Sequence, residues 1–285
     1  MNKKTKITRF RPMIRSRNHT CSELRRRGVL PLLPFRSVVR IGSITELDDV
    51  ISKGGSRIEC NTVEAVKNSS HKIKSKKMFM EAGVPTPEMY LRKGDHLEEI
   101  VLKNGIFTLN SIDRSKMNSE FFPILAKRKL GSKARGMEKL DNMEQFDDFL
   151  KNRYNNNYYF EKYYNYAREY RLHVTEEGCF YTCRKMRKRD QEIRWYFNND
   201  NCAWMVETNP NFNKPGSWNQ IVESCVKALK AVGLDFGACD VRVSKDGHSY
   251  KIIEINSGPS FGTITTQKYI EEIPKILKRK HSKLC

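Results

Sequence analysis

Gly237-Ala238-Cys239-Asp240-Val241-Arg242-Val243 and Lys251-Ile252-Ile253-Glu254-Ile255-Asn256-Ser257-Gly258-Pro259 decide how this chain is read. Each stretch is, or borders, a short apolar run, and Lys245-Asp246-Gly247 between them is a turn signal. Apolar alternation around a D-G turn predicts a β-hairpin. Side chains alternate along a strand, so Glu254 and Asn256 share a face, and Asp240 on the partner strand can meet them. Two carboxylates and an amide oxygen gathered there make a hard-oxygen site suited to Mg²⁺ and to a cation that also holds phosphate. Taken alone, the same hairpin is equally a surface element with a solvated polar face.

Upstream, Ala126-Lys127-Arg128-Lys129-Leu130-Gly131-Ser132-Lys133-Ala134-Arg135-Gly136-Met137 leaves an apolar run, Phe122 to Lys127, through a loop with two glycines. Such a loop lets backbone N–H groups approach and cradle phosphates, and its cations suit a polyphosphate. It lacks the G-K-[ST] of a Walker A loop, and a flexible basic hairpin is the alternative reading.

Further elements follow from local signals. Asn61-Thr62-Val63-Glu64 has capping-box character and starts a helix running to about Ser69. A second helix covers Lys72 to Ala82 and is stopped by Gly83, Pro85 and Pro87. Asp141 with Glu144, and Ser217 with Gln220, start two more. Strands are predicted at Ser37–Ile41, Arg57–Cys60, Tyr158–Tyr163, Glu169–Val174 and Phe180–Arg184. Residues 1–35 look irregular, and 43–55 a short helix or loop. The fold class is α+β, antiparallel hairpins flanked by helices.

The order of these parts resembles the ATP-grasp superfamily of carboxylate–amine ligases, above all its ribosomal-protein glutamate ligase and D-alanine–D-alanine ligase branches. The resemblance spans about residues 61–262. It is carried by S-S-H-K-I-K-S-K-K-M-F-M-E-A-G-V-P-T-P, by F-P-I-L-A-K and by C-D-V…I-I-E-I-N-S-G-P-S. It implies ATP and Mg²⁺ held between two α+β lobes, residues 63–158 and 159–285, after a basic arm and reduced N-terminal subdomain in residues 1–62. Lys72 and Lys127 would hold phosphates, Lys127 also lying near the adenine. The loop with Gly131, Ser132 and Gly136 would close over the triphosphate. Glu161, Lys162 and Tyr163 would line the adenine edge, partly through backbone groups, and Glu169 would take the ribose hydroxyls. Asp240, Glu254 and Asn256 would bind the metal, and Arg184 would steady the transferring phosphoryl group. The implied reaction joins a carboxylate substrate to an amine acceptor, a peptide or protein among the candidates, through an acyl phosphate.

Some side chains have competing readings. Arg171 and Arg187 suit bidentate contact with a carboxylate, or equally a surface salt bridge. Trp195, Tyr196, Trp204 and Trp218 read as packing, His173 as a satisfied polar residue, and Ser217 as a helix cap rather than a nucleophile.

Charge is uneven. The chain carries a net +20, of which residues 1–40, with 12 Lys and Arg against Glu23, hold +11. Such an arm suits docking to a polyanion, reads also as an Arg-rich transit segment, or is simply a solvated tail. With the Lys278-Arg279-Lys280 run it motivates the second hypothesis, a nucleic-acid-binding protein on the same scaffold without ligase activity. No apolar run approaches the roughly 20 residues of a membrane helix. The eight cysteines show no C-x-x-C pair or zinc spacing and read as free thiols in a reducing, cytoplasmic setting.

Overall fold

A computed structural model describes residues 6–9, 36–44, 57–131, 134–189, 195–197 and 201–283. The expected loop or helix at 43–55 therefore falls largely outside the described residues, as does Ser132.

The chain builds three sheets. β1 (Lys6–Arg9), β2 (Arg36–Ile41) and β3 (Arg57–Cys60) form a small parallel sheet with β2 in the middle. Residues 6–9 are thus not irregular; a four-residue strand offers too little alternation to read. Helices α1 (Val63–Ser70) and α2 (Lys72–Glu81) follow. A six-stranded antiparallel sheet comes next, in the order β6-β5-β4-β9-β7-β8. It comprises β4 (Met89–Lys93), β5 (His96–Lys103), β6 (Ile106–Ile112), β7 (Ile124–Arg128), β8 (Glu138–Leu140) and β9 (Tyr158–Lys162). Helix α3 (Met143–Asn152) buries Phe146 and Phe149 against Phe160, Phe122 and Ile124 of this sheet.

The chain then crosses, between Lys162 and Arg168, to a five-stranded antiparallel sheet ordered β12-β11-β10-β13-β14. Its strands are β10 (Arg168–Thr175), β11 (Gly178–Arg187), β12 (Cys202–Val206), β13 (Phe236–Val243) and β14 (Tyr250–Asn256). Helix α4 (Trp218–Ala231) covers one face. There Leu172, Val174, Cys239 and Val241 pack on Ile221, Cys225 and Leu229, joined by Val66 and Phe79 from α1 and α2. Alternation sends Glu169, Arg171, Asp240 and Arg242 to the opposite face. Helix α5 (Thr263–Ser282) places Tyr269, Ile273 and Leu277 against Val39, Ile41 and Ile58 of the parallel sheet.

Caps differ from expectation by one residue in two helices. At α1 the cap is Thr62, whose hydroxyl accepts from Ala65 N at 3.2 Å. Asn61 is buried at φ 59° and ties β13 to β2. Its Oδ1 accepts from Asp235 N at 2.8 Å, and its Nδ2 donates to Arg40 O at 3.3 Å. At α3 the cap is Asn142, not Asp141, and Gln145 reaches back to Asp141 N at 2.8 Å. Ser217 occupies the N-cap position of α4 without capping; its hydroxyl donates to Gly247 O at 2.7 Å.

Two junctions position the site. Ile252 N donates to Pro85 O at 2.7 Å and the Thr86 hydroxyl to Ile252 O at 3.1 Å, fixing the segment after α2 on β14. Gly258, just past β14, lies against Gly42, just past β2; a Cβ on Gly258 would sit 2.9 Å from Gly42 Cα. No helix among the described residues is long and apolar enough to cross a membrane.

Candidate active site

Between the six- and five-stranded sheets lies a cavity of about 100 Å³ that opens to solvent. Lys72 and Lys127 line it from one side, and Glu169, Asp240 and Glu254 from the other, with Gly131 of the basic loop. Segments far apart in sequence therefore converge on one space. Asp240 and Glu254 are direct register partners across β13 and β14, the hairpin expected from the D-G turn. Lys72 opens α2, where the His71 side chain caps Lys74 N at 3.2 Å; its Nζ reaches Gly131 O at 2.6 Å.

The floor on the five-stranded sheet is a checkerboard of charge. Arg171 donates to both oxygens of Asp240, at 2.7 and 2.8 Å. Lys185 donates to Asp240 at 2.9 Å and to Glu169 at 2.5 Å, and Arg242 Nε donates to Glu169 at 2.9 Å. Burial would push both carboxyls up, but the cations prevail: Arg171 and Lys185 hold Asp240 far below the usual range, and Lys185 and Arg242 lower Glu169. Burial works against the Lys185 ammonium, yet Asp240 and Glu169 raise its pKa.

The wall on the six-stranded sheet is simpler. Glu161 is 1% exposed and accepts from Lys127 at 2.5 Å, from Lys76 and from the Tyr159 hydroxyl at 3.0 Å. Burial opposes its charge, but Lys127 and Lys76 hold it down to about 2. For Lys76 burial wins over the attraction of Glu161 and takes it down to about 8.

The structure brings together Lys72, Lys127, Gly131, Glu169, Asp240 and Glu254. Asn256 sits one step along, donating to Glu254 Oε1 at 3.2 Å and lining an adjoining cavity with Lys72, Lys76 and Gly258. Gly136 has φ 67°, and a Cβ there would meet Arg128 Nε at 2.7 Å, so the loop's return requires glycine. Three assignments do not reach the cavity wall. Glu161 is spent on its lysines. Lys162 donates to Glu120 O and Phe121 O at 2.7 and 2.6 Å, and Tyr163 lies under Lys139, 5.3 Å from its ring centroid. Arg184 is a fourth: it is on the opposite face of β11, donating to Asn211 O and Phe212 O at 3.4 and 3.3 Å. Its neighbour Lys185 is the cation that faces the cavity, and Arg242 and Lys76 also escaped the sequence reading. Trp204 is not core; it is 38% exposed, with Arg171 and Lys185 at 4.9 and 5.5 Å from its ring centroid. Trp218 does pack in the core, 5.4 Å from Tyr170. His173 is buried, with Nδ1 2.9 Å from the Tyr269 hydroxyl.

The chain has the ATP-grasp fold. It superposes on PsnB, an ATP-grasp ligase solved with a minimal precursor, at a TM-score of 0.63 and 14% identity, covering 98% of this chain and 100% of that one. D-alanine–D-alanine ligase from Bacillus anthracis, solved with ATP, gives a TM-score of 0.63 at 10% identity, covering 98% of both chains. Carboxyaminoimidazole ribonucleotide synthase from an Aspergillus species is similar at a TM-score of 0.54 and 16% identity, over 78% of this chain and 53% of that one. No family profile and no curated protein matches the sequence.

Proposed function

We propose that the protein is an ATP-dependent ligase that joins a carboxylate to an amine through an acyl phosphate. The observation that carries this is the convergence of Lys72, Lys127 and Lys185 with Asp240 and Glu254 on one cavity between two sheets. The shared fold supports it, since the solved relatives include ligases in complex with ATP or with Mg and ADP. PsnB, solved with a precursor, favours a peptide-type substrate.

The cations hold the triphosphate in line with the incoming carboxylate and offset charge on the transferring phosphoryl oxygens. A carboxylate oxygen bonds to the γ-phosphorus as the bond to the bridging oxygen breaks, and ADP leaves with that electron pair. The amine nitrogen then bonds to the acyl carbon, phosphate leaves with the C–O pair, and the amine proton passes to solvent.

The donor set fits Mg²⁺: Glu254, the Asn256 amide oxygen and Asp240 are hard oxygens on one hairpin. When bound, the ion neutralises phosphate charge. Among the described residues no three acidic, histidine or cysteine groups already converge as a bare metal cage, because Arg171 and Lys185 occupy both Asp240 oxygens. Lys185 is the partner a phosphate can draw away, and its departure would free a lone pair on Asp240 Oδ2, which Arg171 still contacts. Metal and nucleotide therefore bind together.

Cations of the C-terminal run already have partners within the chain: Arg279 with Glu177 at 2.9 Å, Lys280 with Asp235 at 2.7 Å. That weakens the nucleic-acid alternative. Docking of a polyanionic partner by residues 1–40 remains part of the proposal. Glu254→Ala should lower substrate-dependent ADP release about 10²-fold or more with an unchanged circular dichroism spectrum. Near-normal turnover would refute the metal assignment.

A further inference from the structure

The sheet face that floors the nucleotide cavity continues past Asp240. On β10, Glu169, Arg171 and His173 lie in line; on β11, opposite them, lie Lys185, Cys183 and Tyr181. Glu169 and Lys185 belong to the nucleotide cavity. Arg171, His173, Cys183 and Tyr181 line a second cavity of about 510 Å³, bordered by Trp204 and Phe261. The two spaces meet at a single ion pair, with Asp240 lining the first and Arg171 the second.

The chemistry of the second cavity is selective. Among the described residues Arg171 is the lone cation lining it, and none of the lining residues is acidic. Two N–H groups of the guanidinium are spent on Asp240, and a guanidinium carries further donors. Its plane is supported by Trp204. Burial, aided by the Arg171 charge, holds His173 neutral down to about 3. Burial pushes the Cys183 thiol up to about 12, so it is no thiolate nucleophile. Tyr181, Trp204, Val206, Phe261 and Ile264 give the rest of the wall its apolar area, beside the hydroxyls of Ser260, Thr263 and Thr265, and Ile264 at the rim is 49% exposed. Helix α5 opens at this rim with no side-chain cap, adding a weak positive field.

We propose that this second cavity is the acceptor site, and that the acceptor is an α-amino acid with an aromatic or branched apolar side chain. The inference rests on the ligase reading above and names the substrate class of that site. The α-carboxylate takes the remaining Arg171 donors, and the apolar body fills the space beside Trp204 and Phe261. The α-amine then lies beside Asp240, an acidic neighbour, at the mouth of the nucleotide cavity where the acyl phosphate forms.

The test is calorimetric titration of the full chain with phenylalanine, leucine, phenylalaninamide and aspartate, with and without a non-hydrolysable ATP analogue and Mg²⁺. Phenylalanine and leucine should bind saturably. The amide, lacking the carboxylate, and aspartate, lacking the apolar body, should bind about tenfold more weakly or not at all. Trp204→Ala should weaken phenylalanine about tenfold, and Trp204→Phe should restore most of the loss. Equal binding of acid and amide, equal binding of aspartate and phenylalanine, or no binding of either apolar amino acid would overturn the proposal. The analogue reports separately. If it binds and the amino acids do not, the acceptor site falls and the ligase reading stands; if the amino acids bind and it does not, the ligase reading falls, the acceptor role falls with it, and the cavity is an amino-acid-binding site only.

Discussion

The two charged walls of the cavity between the six- and five-stranded sheets are built on different principles. On the six-stranded sheet one carboxylate, Glu161, answers two lysines and a tyrosine hydroxyl, and among the described residues no second carboxylate hydrogen-bonds to those lysines. On the five-stranded sheet Asp240 and Glu169 each have two cationic partners, and Lys185 is shared between them. The first wall is a closed structural unit that fixes where Lys127 stands. The second is redundant, so a ligand can remove one partner without stranding a buried charge. Rigidity on one side and exchangeability on the other is what a site needs if it must hold a shape and also accept a polyanion with its metal.

The largest effect should come from breaking the closed unit. Glu161→Ala leaves Lys76 and Lys127 without their buried partner and should cost about 3–5 kcal/mol, read from urea unfolding midpoints. Lys185→Met should be milder for the fold, because Asp240 keeps Arg171 and Glu169 keeps Arg242. Its cost should appear in binding instead, as a loss of ATP-analogue affinity of roughly a hundredfold. If the two variants lose equal stability, the contrast between the walls is wrong. The smallest effect sharpens the far end of the second wall. Folded His173 titrates near 3 and its unfolded form near 6.5, so between those values the unfolded chain binds more protons and stability falls with falling pH. From pH 6.5 to about 5 that is about 2 kcal/mol, above the range where Glu161 contributes. His173→Gln should flatten the loss in that window; an unchanged pH profile would show that the imidazole is not held neutral.

Much of this site is legible in the sequence because its decisive part is local. The Asp240–Glu254 pairing follows from alternation on both sides of a D-G turn, and the helix of Lys72 from clear stops at Gly83 and Pro85. What fails is parity. On β11, Phe180-Tyr-Thr-Cys-Arg-Lys-Met shows no clean apolar alternation, and a bulge between His173 and Val174 shifts the register with β10. Choosing Arg184 over Lys185 was therefore a choice of face that local pattern could not make. Lys76 carried a readable signal, lying one helical turn from Lys72 on the same side. Glu161 misled for a different reason: Tyr158-Tyr159-Phe160 is a run buried on both faces, and a carboxylate at its end had to be neutralised by partners distant in sequence. Residues 6–9 pair with a strand some thirty positions away, which no window reaches.

The contact of Gly42 with Gly258 bears on motion. With backbone on backbone there and Asn61 bridging β2 to β13, the parallel sheet and the five-stranded sheet move as one body. If the proposed site closes over a nucleotide, the movement is expected in the six-stranded sheet, about the junctions near Pro85 and between Lys162 and Arg168. A bulkier residue at position 258 would wedge that body apart at the very end of the strand bearing Glu254 and Asn256.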